Sequence, residues 1–215
     1  MMAKWTAGVA ALSLVLANAT NASAASNYTS AYSDLDFDKC TVVEEDSEFG
    51  FVRMKCPGAF GYDVHATEAD LRLYLAYAPE GIDPFAVTEP ENGEEAELEE
   101  EPAPEPSIGQ TIAPFNTLGP KLEWRAPNTG SDAEPFATIV RYTYQTMNDD
   151  GSFGEGQVLV VSRFRDGASC HVAYIDALAN ANANVMAREV ADKYASGGSC
   201  PEGGVPVLGR GGESF

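Results

Sequence analysis

The run FATIVRYTYQTM at 136–147, followed after NDDGSFGEG by QVLVVSRF at 157–164, constrains this chain more than any other feature. Both runs are rich in β-branched and aromatic residues, which fit a pleated, half-buried surface better than a helix. The Asp-Gly between them is a turn signal, so the two are predicted to pair as a hairpin. A lone hairpin is marginal in water and needs more strands or a helix against its apolar face.

The rest of the chain supplies both. DLRLYLAYA alternates, placing Leu71, Leu73, Leu75 and Tyr77 on one face and Arg72, Tyr74 and Ala76 on the other. TVVEE, FGFVRMK, FGYDVHA and KLEWR are shorter strand candidates, punctuated by Pro57, Gly58 and Gly61. CHVAYIDAL, beginning at Cys170, reads as a further strand. After it the period changes. In NANANVMAREVADKYA, Ala183, Ala187, Val190, Ala191 and Tyr194 recur at helical spacing, with Asn180 or Asn182 as N-cap and Gly197 beyond the last turn. Strands followed by one helix predict an α+β fold: an antiparallel β-sheet of about five to seven strands with one C-terminal amphipathic helix packed on it.

The first residues read as an export signal. MMAKW carries one lysine, TAGVAALSLVLANA is uncharged, and Ala22-Ser23-Ala24 supplies an A-x-A cleavage site, so 1–24 is assigned to a signal peptide. The apolar run is shorter than the roughly 20 residues of a membrane span, and no second long one follows. A periplasmic or secreted chain without stable membrane insertion is therefore expected. In an oxidising compartment the four cysteines, Cys40, Cys56, Cys170 and Cys200, read as two disulfides. Cys40 with Cys56 and Cys170 with Cys200 are the pairings nearest in sequence, although three connectivities are open.

Residues 25–200 are expected to form a single α+β domain, followed by a flexible Gly-rich tail at 201–215. The domain is interrupted by PEGIDPFAVTEPENGEEAELEEEPAPEP, an acidic insertion at about 79–106. So little of it is apolar that burial cannot offset its ordering entropy, and a disordered or extended segment is predicted.

The formal charge is −20, and Lys4 in the leader is one of only 13 lysines and arginines, set against 33 acidic residues. Such a surface repels phosphate backbones and anionic lipid, which excludes nucleic acid as a main partner. It attracts a basic protein or peptide, with fast, salt-sensitive encounter. Oligomeric state is not legible.

Cys170 next to His171 invites a reading as a nucleophile and its base. On a strand, however, neighbouring side chains point to opposite faces: Cys170, Val172 and Tyr174 to one, His171, Ala173 and Ile175 to the other. A thiolate needs its imidazole within about 3 Å, and a disulfide to Cys200 removes the thiol altogether. No catalytic residue is assigned on that reading. The alternative is a cysteine-dependent hydrolase using Cys170 with His65 or His171.

Two oxygen-rich stretches resemble calcium loops. Asp34, Asp36, Asp38 and Glu45 fall at template positions, but Lys39 stands where the glycine of the sharp turn is required. Asn148, Asp149, Asp150 and Glu155 lie in the predicted hairpin turn, which calls for the same residue types. No C-x-x-C, H-E-x-x-H, complete G-x-S-x-G or phosphate loop is present, and no metal or cofactor is expected.

Taken together, YSDLDFDKC, EADLRLYLAY, PFNTLGPKLEWR, PFATIVRY, GQVLVV and CHVAYIDALANANAN resemble a group of uncharacterised exported proteins of proteobacteria, over roughly Tyr32 to Cys200. The resemblance implies a periplasmic home and brings no functional residues with it. The reading that emerges is an exported non-catalytic binding or envelope accessory protein that engages a cationic protein or peptide.

Overall fold

The structure, a computed structural model, describes residues 27–86, 110–165, 168–194 and 197–210. The expected signal peptide at 1–24 and the acidic run from 87 onward lie outside the described residues. Strands β1 (Tyr28–Asp34), β6 (Asn116–Pro127), β7 (Ala137–Met147), β8 (Phe153–Arg165), β9 (Ala168–Asp176) and β10 (Val207–Leu208) lie side by side in that order. Strands β2 (Thr41–Asp46), β3 (Phe51–Pro57), β4 (Tyr62–Ala69) and β5 (Arg72–Pro79) form a second sheet in chain order. Pairing is antiparallel throughout, except that β10 runs parallel to β9.

Alternation sets the layers. Leu122 and Trp124 of β6, Val140 and Tyr142 of β7, and Val158 and Val160 of β8 face the smaller sheet, where they meet Met54, Cys56, Val64, Ala66, Leu73 and Leu75. The intervening residues Ala137, Ile139, Leu159 and Val161 face the opposite way and meet the Ala183, Ala187 and Ala191 stripe of α1 (Ala183–Asp192). The result is three layers: small sheet, large sheet, helix. Central strands of the large sheet are buried on both faces, which is why QVLVVSRF reads as a nearly continuous apolar run. Trp124, fully buried between the sheets, donates from Nε1 to Ser33 Oγ at 2.7 Å and meets Tyr77 edge-on at 5.4 Å. That indole needs a partner at this depth, because a buried unpaired donor costs about 1–3 kcal/mol.

Charged groups fasten the helix to the sheet as well. Arg125 of β6 is buried and forks onto Asp192 in the last turn of α1, with Nη2 at 2.7 and 2.8 Å from its two carboxylate oxygens. A carboxylate at a helix C-terminus opposes the macrodipole, and the guanidinium offsets it. One turn back, Arg188 donates to Glu123 of β6 at 2.6 Å.

The expected antiparallel sheet with one helix against it is present as the six-stranded sheet. The early strand candidates are gathered into the second sheet rather than added to the first. Leu71 does not share the buried face with Leu73 and Leu75. With Asp70 it forms the two-residue turn between β4 and β5, at φ 60° and 48°, and it is 58% exposed. A turn of this hand matches the twist of the flanking strands and requires positive φ at both positions.

The stretch expected as a flexible Gly-rich tail, 201–215, does not behave as one up to Arg210. Val207 and Leu208 extend the large sheet, Pro206 O accepts from Tyr174 N at 2.9 Å, and Arg210 donates to Tyr144 Oη at 2.9 Å. The unpaired edge of β9 captures this segment, since backbone groups left without partners at a sheet edge are a template for another strand. Nor is the start of the acidic insertion a free spacer. Pro79 ends β5, and Asp83 then bonds Arg53 of β3. Disulfides join Cys40 to Cys56 and Cys170 to Cys200, with Cα separations of 4.4 and 6.0 Å.

Candidate functional site

Cys170 and His171 are separated by the sheet. Cys170 packs into the helix-side cluster and is bonded to Cys200, so it carries no thiol. His171 points into the other layer, where its Nδ1 lies 3.0 Å from Tyr174 Oη. The pairing of His171 with Tyr174 departs from strict alternation, which puts those two residues on opposite faces. Between Val161↔Ala173 and Ser162↔His171 the ladder slips by one residue and leaves Val172 unpaired. This bulge reverses the parity, so Val172 joins Cys170 and Ala173 against the helix while His171 and Tyr174 share the inner face. Burial lowers the imidazole pKa to about 4, which makes His171 a neutral, hydrogen-bonded core residue at pH 7. Its backbone N–H donates to Gln110 Oε1 at 2.6 Å.

His65 lies far from both. Its neighbours on β4, Val64 and Ala66, face the inter-sheet core, so His65 faces outward from the small sheet. It is nevertheless only 2% exposed. Phe85 covers it edge-on at 5.9 Å, and Arg53 sits 4.6 Å over the same Phe85 ring while pairing with Glu44 at 3.1 Å and Asp83 at 3.4 Å. Neither ring nitrogen of His65 has a hydrogen-bond partner among the described residues. Burial holds its pKa below the ordinary histidine value, against the pull of Asp83 and Asp63. Cys170 and His65 thus belong to opposite outer layers, and among the described residues no free thiol lies beside either histidine.

The oxygen-rich stretches are engaged locally. Asp34 pairs with Lys121, and Asp36 pairs with Lys39 at 2.7 Å. Those lysines, absent from the loop template, hold the two carboxylate pKa values below the ordinary range through direct hydrogen bonds. In the β7–β8 turn Asp150 accepts from Ser152 N and Oγ, Asn148 donates to Ser152 Oγ, and Glu155 accepts from Gln157. Among the described residues no group of three His, Cys, Asp or Glu side chains could hold a metal ion.

The feature that sequence reasoning passed over is the edge of the small sheet. Among the described residues β2 is an edge strand with a neighbour on one side only, and all six of its residues are exposed. A register slip between Val42 and Glu44 places a bulge in it. Glu44, Glu45 and Asp46 follow, then Glu48 and the exposed Phe49 in the turn. Among the described residues, Glu44 alone of these acids has a cation beside it, Arg53. The Cys40–Cys56 bond ties the base of this acidic hairpin to a cysteine buried in the core. TVVEED was legible as a strand. That both its faces would be exposed was not, because exposure depends on which strand lies beside it.

Among the described residues no helix is long and apolar enough to cross a membrane. The chain matches no protein-family model, no curated protein and no solved structure.

Proposed function

We propose that this chain is an exported, non-catalytic binding protein, periplasmic or secreted, that engages a cationic protein or peptide at the outer edge of its small sheet. The observation that carries the reading is β2, a free strand edge bearing three consecutive acidic residues with no buried face. Exposed edge N–H and C=O groups accept an added strand, and acidic side chains beside them select a basic one. Charge on an edge also deters the strand from pairing with a second copy of itself, so the same residues favour a partner of opposite sign over self-association. Two disulfides support the exported setting, since they persist in oxidising compartments. With Cys170 bonded, a hydrolase built on that thiol has no nucleophile.

The test is a pull-down from envelope extract with the purified protein, at low and high salt, beside a Glu45→Lys/Asp46→Lys variant. The expected outcome is a basic protein retained at low salt, released at high salt and lost with the variant. An empty low-salt pull-down, or one unaffected by the charge reversal, would overturn the reading.

A further inference from the structure

In a chain with 33 acidic residues and 13 basic ones, an arginine without a carboxylate is unusual. Arg141 of β7 is one: half-buried, it donates to the neutral Gln157 Oε1 at 3.2 Å and forms no ion pair among the described residues. It lines a cleft of ≈ 360 Å³ on the helix side of the large sheet.

The fold makes this cleft deliberately open. In β6 the register runs from Leu118↔Tyr142 to Leu122↔Val140, so three residues, Gly119, Pro120 and Lys121, stand opposite the single Arg141. A bulge of this kind tolerates a proline in mid-strand and re-aims the side chains around it. Gly119 keeps the approach narrow-shouldered, because a Cβ there would lie 3.2 Å from the Arg141 Cβ. Asn184 and Arg188 of α1 line the opposite wall, and Ile139 and Leu159 give the cleft an apolar surface. Its one acid, Glu123, is already bound by Arg188 at 2.6 Å and by Ser30 at 2.5 Å. Among the described residues Lys121 is engaged only in an exposed pair with Asp34, worth little in water and easily redirected. The cleft therefore presents net positive charge inside a strongly negative molecule.

We propose that this cleft binds a small organic acid, its carboxylate forked by Arg141 and approached by Lys121 and Asn184, its apolar body lying on Ile139 and Leu159. A planar guanidinium matches a carboxylate bidentately. The volume is at the lower end for small-molecule sites, and the apolar wall favours a hydrocarbon body over a bare inorganic anion. The site is on a different sheet from the acidic edge and does not depend on the cationic partner.

Calorimetric titration of the whole exported protein with benzoate, acetate and inorganic phosphate tests it. Benzoate binds saturably, acetate at least about tenfold more weakly, and Arg141→Gln loses at least about tenfold in benzoate affinity, the scale of one charge-assisted contact. Asn184→Asp guards against a folding artefact: an acid in the first helical turn suits the helix dipole yet repels a carboxylate, so affinity drops while the melting temperature holds or rises. The Glu45→Lys/Asp46→Lys variant binds benzoate as the unaltered protein does. Absence of saturable benzoate binding, equal binding by Arg141→Gln and Asn184→Asp, or phosphate binding tighter than benzoate would each overturn the assignment.

Discussion

Replacing Cys170 and Cys200 together by alanine is the perturbation whose size follows most directly from the structure. The bond closes a separation of 30 residues that contains the whole of α1. In the chain-entropy model a loop of that length costs the unfolded state about 12 cal/mol/K, or about 3.6 kcal/mol at 25 °C. Cys170 is also buried in the apolar helix-side cluster, where trimming a sulfur adds about 1 kcal/mol. The total, about 4–5 kcal/mol, is a large part of the roughly 5–15 kcal/mol that holds a domain together. Trp124 is the assay: buried, and with Trp5 one of only two tryptophans in the chain, it reports the inter-sheet core through its fluorescence during a guanidinium titration. A Cys40→Ala/Cys56→Ala variant, measured oxidised and reduced in parallel, keeps the sulfurs of Cys170 and Cys200 and so isolates the entropic part. A fall below about 1 kcal/mol, with an unchanged slope, would refute the reasoning and place the tethering of the post-helix segment in β10 and its neighbours instead.

Stability should also fall on mild acidification. His171 takes a proton near pH 6.5 when unfolded but only near 4 when folded, so between those values the unfolded chain binds more protons and gains relative stability as pH drops. From pH 7 to 5 the loss is on the order of 2 kcal/mol, and His65 adds to it with the same sign. Urea midpoints at pH 7, 6 and 5, compared with His171→Gln, check this, and parallel profiles for the two proteins would sink it. Gly58→Ala should destabilise by about 2 kcal/mol or more in thermal melts, because its Cβ would lie 2.2 Å from Tyr62 O and 2.9 Å from the Trp124 ring, neither free to retreat. A melting temperature within a degree or two of wild type would contradict that packing.

What could be read from the residues was what depends on near neighbours. The β7–β8 hairpin and α1 announced themselves because alternation, turn residues and helical spacing are local. β6 was visible only as KLEWR, since Gly119 and Pro120 break its pattern where the bulge bends it around Arg141. β1 was hidden by its small polar residues, among them Ser30 and Ser33, whose hydroxyls are wanted by Glu123 and Trp124 some 90 positions away. β10 is two residues between Pro206 and Gly209, a strand only because β9 has an open edge. The cleft and the acidic edge are of the same kind. Each exists through pairings between distant segments, so no window of sequence displays it. The separation of Cys170 from His171 was legible, whereas the company His171 keeps depended on a one-residue slip.

The long reach of β1 has a kinetic side. Tyr28 is paired with Pro127, so the first strand of the large sheet must wait for about a hundred further residues before its ladder can form. At roughly 5–20 residues per second of synthesis, that is an interval of about 5–20 s in which β1 has no partner. A sheet built from such distant strands closes slowly, and a chain that cannot close early remains threadable. If the chain is exported as proposed, that delay is an asset: the large sheet cannot complete its β1 ladder early in synthesis, and the disulfides lock it once the chain meets an oxidising compartment.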